Sequence, residues 1–196
     1  MNPRALGFVA LSYLLGSISF AVLLVKWKTG TDIRSEGSGN AGATNVLRAH
    51  GRTLGILVAL FDVAKGAAAV LLMRMVSSDP RTAAAAALAA ILGHVFPVFY
   101  DFRGGKGVAT AVGAFVALVP IPALICVGAF VALVAITRYV SVGSIVGLSL
   151  LPAVAGIFHA PLPAVIAAAL AAVLIVFKHL ENLKRLAAGT ERKIGR

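Results

Sequence analysis

Charge is what this chain of 196 residues has least of. Asp, Glu, Lys and Arg make up 13% of it, against about 25% in an ordinary soluble domain. With 60% hydrophobic residues and a mean hydropathy of +0.96, this excludes a water-soluble globular domain and points to an integral membrane protein. Acidic residues are scarcest, seven against 18 Lys and Arg, which leaves a net charge of +11. In a soluble chain such an excess suggests nucleic acid. Here the cations cluster at the ends of apolar runs, as membrane proteins require, and no nucleic-acid partner is expected. The single cysteine, Cys126, excludes a disulfide framework. Paired carboxylates, metal-ligand spacings and a Gly-x-Ser-x-Gly turn are all missing. A protein nucleophile or a metal therefore has little support, and no metal or cofactor is expected.

What the chain does have is apolar segments. At about 20 residues per span, seven candidates run over 3–26, 54–76, 82–100, 108–119, 122–136, 141–158 and 162–177. The first is too long for a signal-peptide core and is expected to be retained. The fourth is too short to cross alone, and Pro120 and Pro122 mark the turn that ends it. Six spans result if the fourth and fifth form one broken element. The expected fold is all-α, a single polytopic membrane helix bundle over residues 1–196. Its Ala-rich stretches, 83–87 and 167–172, suit close helix approach.

Lys26, Lys28, Arg34, Arg48, Arg52, Arg103, Lys106, Arg138, Lys178, Lys184, Arg185, Arg192, Lys193 and Arg196 fall on one side of such a bundle. Arg4, Arg74 and Arg81 fall on the other. The positive-inside rule makes the loaded side cytoplasmic, with the N-terminus outside and the C-terminus inside.

Three polar constellations share that side. The first runs from Ser35 through Gly37, Ser38, Gly39, Asn40, Gly42, Ala43, Thr44 and Asn45, with Arg48 beyond. Its backbone would go unpaired in lipid, so it needs water or a protected polar pocket. Small residues, many N–H donors and a nearby Arg suit a phosphate. Thr44 or Asn45 could cap a helix starting there. The order is not that of a P-loop, and a plain connector has similar composition.

The second joins His94 to the turn Gly104, Gly105, Lys106 and Gly107. The glycines permit a turn other residues resist. Lys106 at the entrance of the short fourth helix makes an anion seat, or alternatively a membrane-boundary anchor. His94 suits either packing or chemistry.

In the third, His179, Asn182 and Arg185 would share one face of a helix, ahead of Gly189, Thr190 and Glu191. The plainer reading is a cation-rich amphipathic tail. Ser141, after Arg138, could donate to a phosphate or cap the next helix. Asp62 and Lys65, spaced i, i+3 within an apolar span, read as a mutual ion pair bracing the bundle.

Gly-Ser-Gly-Asn-x-Gly-Ala-Thr-Asn-x-x-Arg, Gly-His-x-x-Pro-x-Phe with Gly-Gly-Lys-Gly-Val-Ala-Thr, and His-x-Glu-Asn-x-x-Arg-Leu stand in this chain in that order. Together they resemble the signature regions of the bacterial membrane acyl-phosphate:glycerol-3-phosphate acyltransferases. The resemblance implies transfer of a fatty acyl group from acyl phosphate to the 1-hydroxyl of glycerol 3-phosphate, giving lysophosphatidic acid in phospholipid synthesis at the bacterial cytoplasmic membrane. It carries His179, Lys106, Asn182 and Ser141 into the reaction, and the loop residues, Arg48, His94, the three turn glycines and Arg185 into substrate binding. The partners implied are the two substrates and membrane lipid; the oligomeric state stays open, a monomer being one option. His179 and the departing phosphate both stand as the base. The rival reading is a transporter of a phosphorylated small molecule. It shares glycine loops and broken helices, but lacks support from any inverted repeat.

Overall fold

The computed structural model describes residues 3–195, all helix and connection with no strand among them. Arg196, assigned above to the basic side, lies outside these residues. The fold divides into two compact units, one ending at Leu118 and one beginning at Val119.

In the first unit, α1 (Pro3–Gly16) and α2 (Phe20–Thr29) replace the single helix expected over 3–26. The break at Ser17, Ile18 and Ser19 has one local cause and one distant one. Ser19 caps α2 by accepting from Val22 N, and Lys65 Nζ takes up the Ile18 carbonyl at 2.6 Å. Next come a 3-10 turn (Ile33–Ser35), α3 (Ala43–His50), α4 (Arg52–Val76), α5 (Pro80–Val95), a second 3-10 turn (Val98–Tyr100) and α6 (Val108–Leu118). α4 packs on α6, α3, α5 and α1, and α1 also packs on α5.

Small residues set these approaches, as the Ala-rich stretch suggests. Ala84, Ala86, Ala87 and Ala90 of α5 are buried. A Cβ on Gly93 would overlap the Tyr13 carbonyl oxygen, and one on Gly66 would overlap that of Thr110.

The second unit holds α7 (Pro120–Thr137), α8 (Val140–Ile157), α9 (Leu162–Lys178) and α10 (Leu180–Ala187). α8 packs on both α7 and α9. Ala167, Ala168, Ala171 and Ala172 form a buried stripe on α9.

All seven apolar segments are present as helices. Five are long and apolar enough to cross a membrane: Pro3–Thr29, Arg52–Val76, Pro80–Tyr100, Pro120–Thr137 and Val140–Ile157. α9 and α10, bent by 54°, make a sixth only if counted together. At 1.5 Å per residue α6 reaches about half of a core of about 30 Å. It is a separate short helix, as expected for the fourth segment.

Candidate functional site

The residues singled out from the sequence fall into two sets, one in each unit. The first set is built around the loop between the first 3-10 turn and α3. Ile33, Ala41 and Val46 are buried with Ala21, Val22 and Val25 of α2 and Leu54 and Val58 of α4. Each of the Ile, Val and Leu side chains withdrawn from water contributes roughly 1.5–3 kcal/mol and the two alanines less, so the apolar residues hold the polar loop in place.

Asn45 then closes it. Its Oδ1 accepts from Ser38 N at 2.9 Å, and its Nδ2 donates to the carbonyls of Glu36 at 3.0 Å and Asn40 at 3.1 Å. The helix begins earlier than the capping argument supposed. Gly42 is the N-cap, Ala43 and Thr44 open the first turn, and neither Thr44 nor Asn45 caps it. Ser35 is occupied as well, donating to the Asp32 carbonyl at 2.8 Å. Gly37, Ser38, Gly39 and Asn40 form the crest of the loop, and Arg48 stands one turn along α3.

The glycine turn lies against this loop. Gly105 N donates to the His94 carbonyl at 3.1 Å. A Cβ on Gly105 would overlap His94 Nε2 and stand 2.8 Å from the Ala41 carbonyl oxygen. Of the three turn glycines only Gly107 has the left-handed backbone, at φ 86°. Gly104 and Gly105 are needed for close approach instead. Lys106 sits between them and the first turn of α6, as its position at the helix entrance suggested.

Arg34 makes a second tie. Its Nη2 pairs with Asp32 at 2.8 Å and its Nη1 donates to the Tyr100 carbonyl at 3.1 Å. The guanidinium hydrogen bonds hold the Asp32 carboxyl below the usual carboxylate range. The first two constellations are thus one assembly.

His94 is placed differently from a surface ligand. It is 7% exposed, with its Nδ1 3.5 Å from Asp62 Oδ1. Asp62 also pairs with Lys65 at 2.8 Å, the ion pair read from the i, i+3 spacing. The third member, His94, was not foreseen. It comes from another helix, and only α4–α5 packing brings it there.

In the second unit Glu191 is the centre. Its carboxylate accepts from Ser141 Oγ at 3.0 Å, Asn182 Nδ2 at 2.6 Å and Arg185 Nε at 2.8 Å. Burial pushes the Glu191 carboxyl up, but the hydrogen bonds from Asn182, Arg185 and Ser141 prevail and hold it below its ordinary value. Ser141 does not cap α8, whose N-cap is Tyr139. Asn182 and Arg185 do share a face, and that face is turned to Glu191.

His179 sits at the bend between α9 and α10, with Nδ1 2.7 Å from the Ile175 carbonyl. A carbonyl only accepts, so Nδ1 carries the proton and Nε2 the lone pair in the neutral ring. Glu191 stood within the third motif without an assigned role. One of only two acids in a basic tail, with Glu181 the other, was the available signal.

A family model for glycerol-3-phosphate acyltransferase matches residues 6–189. A glycerol-3-phosphate acyltransferase of Shouchella clausii is 48% identical over 194 residues, which cover 96% of this chain and 95% of that protein. Two crystal structures of PlsY (YgiH), an integral membrane glycerol 3-phosphate acyltransferase, have the same fold. The glycerol 3-phosphate form superposes with a TM-score of 0.94 at 39% identity, covering 98% of this chain and 96% of that one. The lysophosphatidic acid form gives 0.90 at 37%, with the same coverage. With the motifs, the helical membrane fold and the match along nearly all its length in agreement, the chain belongs to the glycerol-3-phosphate acyltransferase family.

Proposed function

We propose that this acyltransferase takes its acyl group from acyl phosphate and places it on the 1-hydroxyl of glycerol 3-phosphate, releasing lysophosphatidic acid and inorganic phosphate. The observation that carries the reading is the joining of two anion-suited elements, the 37–45 loop and the 104–107 turn, through Gly105, His94 and Ala41. Both substrates carry a phosphate. The glycerol 3-phosphate and lysophosphatidic acid forms of the PlsY structures correspond to the acceptor and product of such a transfer.

The 39–45 loop holds one phosphate. Lys106, the turn and Arg48 contribute to the other, with the N-termini of α3 and α6 adding partial positive charge. His179, Asn182 and Ser141 orient glycerol 3-phosphate or the reacting carbonyl, and Arg185 acts with them.

In the transfer the 1-hydroxyl oxygen bonds to the carbonyl carbon. The bond from that carbon to the phosphate oxygen breaks, and phosphate leaves with the electron pair. Acyl phosphate is a mixed anhydride with a good leaving group, so positioning and charge stabilisation account for most of the acceleration. The hydroxyl proton goes to His179 Nε2 or to the departing phosphate. The Nδ1 contact with Ile175 makes the imidazole competent for the first.

The reaction faces the cytoplasm at the inner membrane, a reading supported by the Lys and Arg asymmetry. Labelling of single cysteines at 28, 103 and 81 in a Cys126→Ser background of intact spheroplasts tests this. Position 81 labels from outside and the other two do not; the reverse pattern inverts the topology.

The activity test uses purified protein in detergent with acyl phosphate and glycerol 3-phosphate. Lysophosphatidic acid and one phosphate per turnover are expected. Product from acyl-coenzyme A and none from acyl phosphate would sink the donor assignment.

A further inference from the structure

Asp62, Lys65 and His94 form a buried cluster, and the transfer steps above give neither Asp62 nor Lys65 a role. Asp62 is 1% exposed in the middle of α4, Lys65 3%, and His94 7% near the end of α5. A carboxylate inside a membrane span is costly unless matched. Lys65, one turn away at 2.8 Å, supplies the match, and it is itself tied to the Ile18 carbonyl. Charge balance therefore does not call for the imidazole.

What His94 adds is reach. Its Nδ1 edge faces Asp62 at 3.5 Å. Its opposite edge backs the glycine turn: a Cβ on Gly105 would overlap Nε2 and stand 3.0 Å from Cε1. The backbone repeats the tie, since Gly105 N donates to the His94 carbonyl. The ring lies between the Asp62 carboxylate, 3.5 Å from Nδ1, and the turn that presents Lys106.

We infer that Asp62 and His94 are a positioning pair for the 104–107 turn. The carboxylate fixes the imidazole through Nδ1, and the Nε2 edge sets where Gly105, and with it Lys106, stands. A carboxylate on one ring nitrogen orients a histidine in this way generally. This rests on reading the turn as a phosphate seat. A seat displaced by a fraction of an ångström loses its hold on the phosphate, so the signature is in KM.

The test is steady-state kinetics of the purified full chain, with KM for each substrate, kcat, and thermal melting as the control for folding. Asp62→Leu with Lys65→Met removes both charges and the acceptor facing Nδ1. It is expected to raise KM for one phosphorylated substrate about tenfold or more while kcat stays within about threefold. Asp62→Asn with Lys65→Met keeps a neutral acceptor for Nδ1 and restores KM to near wild type. A bracing role alone predicts that the two double variants behave alike, and that result, or unchanged KM values in the folded Leu–Met variant, overturns the inference.

If the Leu–Met variant does not fold, His94→Phe decides. It fills the space without the Nδ1 donor, and wild-type KM values for it overturn the inference equally. Gly105→Ala separates the two levels of the argument. Unchanged KM values there defeat the phosphate-seat reading itself. A raised KM there, with none in the Asp62 and His94 variants, defeats only the positioning pair.

Discussion

Asn182 Nδ2 donates to Glu191 Oε1 at 2.6 Å, across a chain reversal that also brings Arg185 Nε to the other carboxylate oxygen. The same Oε1 accepts from Ser141 at the start of α8. One carboxylate therefore sets the side chains of three residues proposed to act on substrate.

Glu191→Gln is expected to lower the stability of the protein by about 1–3 kcal/mol, because an amide cannot accept at both positions and a buried donor is left unmatched. The folded Glu191 pKa lies below the unfolded one, so its contribution is present above the ordinary carboxylate range and is lost as pH falls through the folded value. Melting temperatures measured from neutral to acid pH should show wild type and variant converging at the acid end. A gap that persists unchanged there refutes the electrostatic account.

His179→Gln is expected to reduce kcat by about two orders of magnitude if the imidazole is the base. The measurement is phosphate release under saturating substrates. A mild effect assigns the proton to the departing phosphate and leaves His179 the job of orientation.

Asn45→Ala removes the side chain that spans the 37–45 loop. A stability loss of about 1–3 kcal/mol is expected, because the part-buried Ser38 N–H and the carbonyls of Glu36 and Asn40 lose their partner. It should come with raised KM for a phosphorylated substrate, read by melting and kinetics on the same preparation. Wild-type melting would mean that the loop is held by Ile33, Ala41 and Val46 alone.

Gly93→Val tests the small-residue packing of α1 on α5. The added side chain meets the Tyr13 carbonyl, and the two helices must separate. Overpacking of this kind costs about 1–3 kcal/mol. Thermal melting should register it, whereas Gly7→Val, where nothing stands within 4 Å of an added Cβ, should melt as wild type.

Much of this was legible beforehand. Low charge and long apolar runs announced a helical membrane protein. Pro120 and the brevity of 108–119 marked a short helix that the structure retains. The break after Gly16 was hidden, because Ser17 and Ser19 are tolerated in membrane helices and the partner of Ile18 is Lys65, 47 residues away. Asn45 looked like a helix cap. Its amide is instead spent on the loop's own backbone, which only the loop's path reveals.

The sequence by itself determined the solvent, the helices and the chemistry on offer, since composition, periodicity and short motifs act locally along the chain. It also paired Asp62 with Lys65, because a helical i, i+3 spacing needs no tertiary knowledge. Tertiary structure alone decided that His94 reaches the same carboxylate and that Gly105 rests on His94. It alone placed Ser141, Asn182 and Arg185 around Glu191. Those contacts join residues on different elements, and their partners are chosen by how closely small residues let the helices pack.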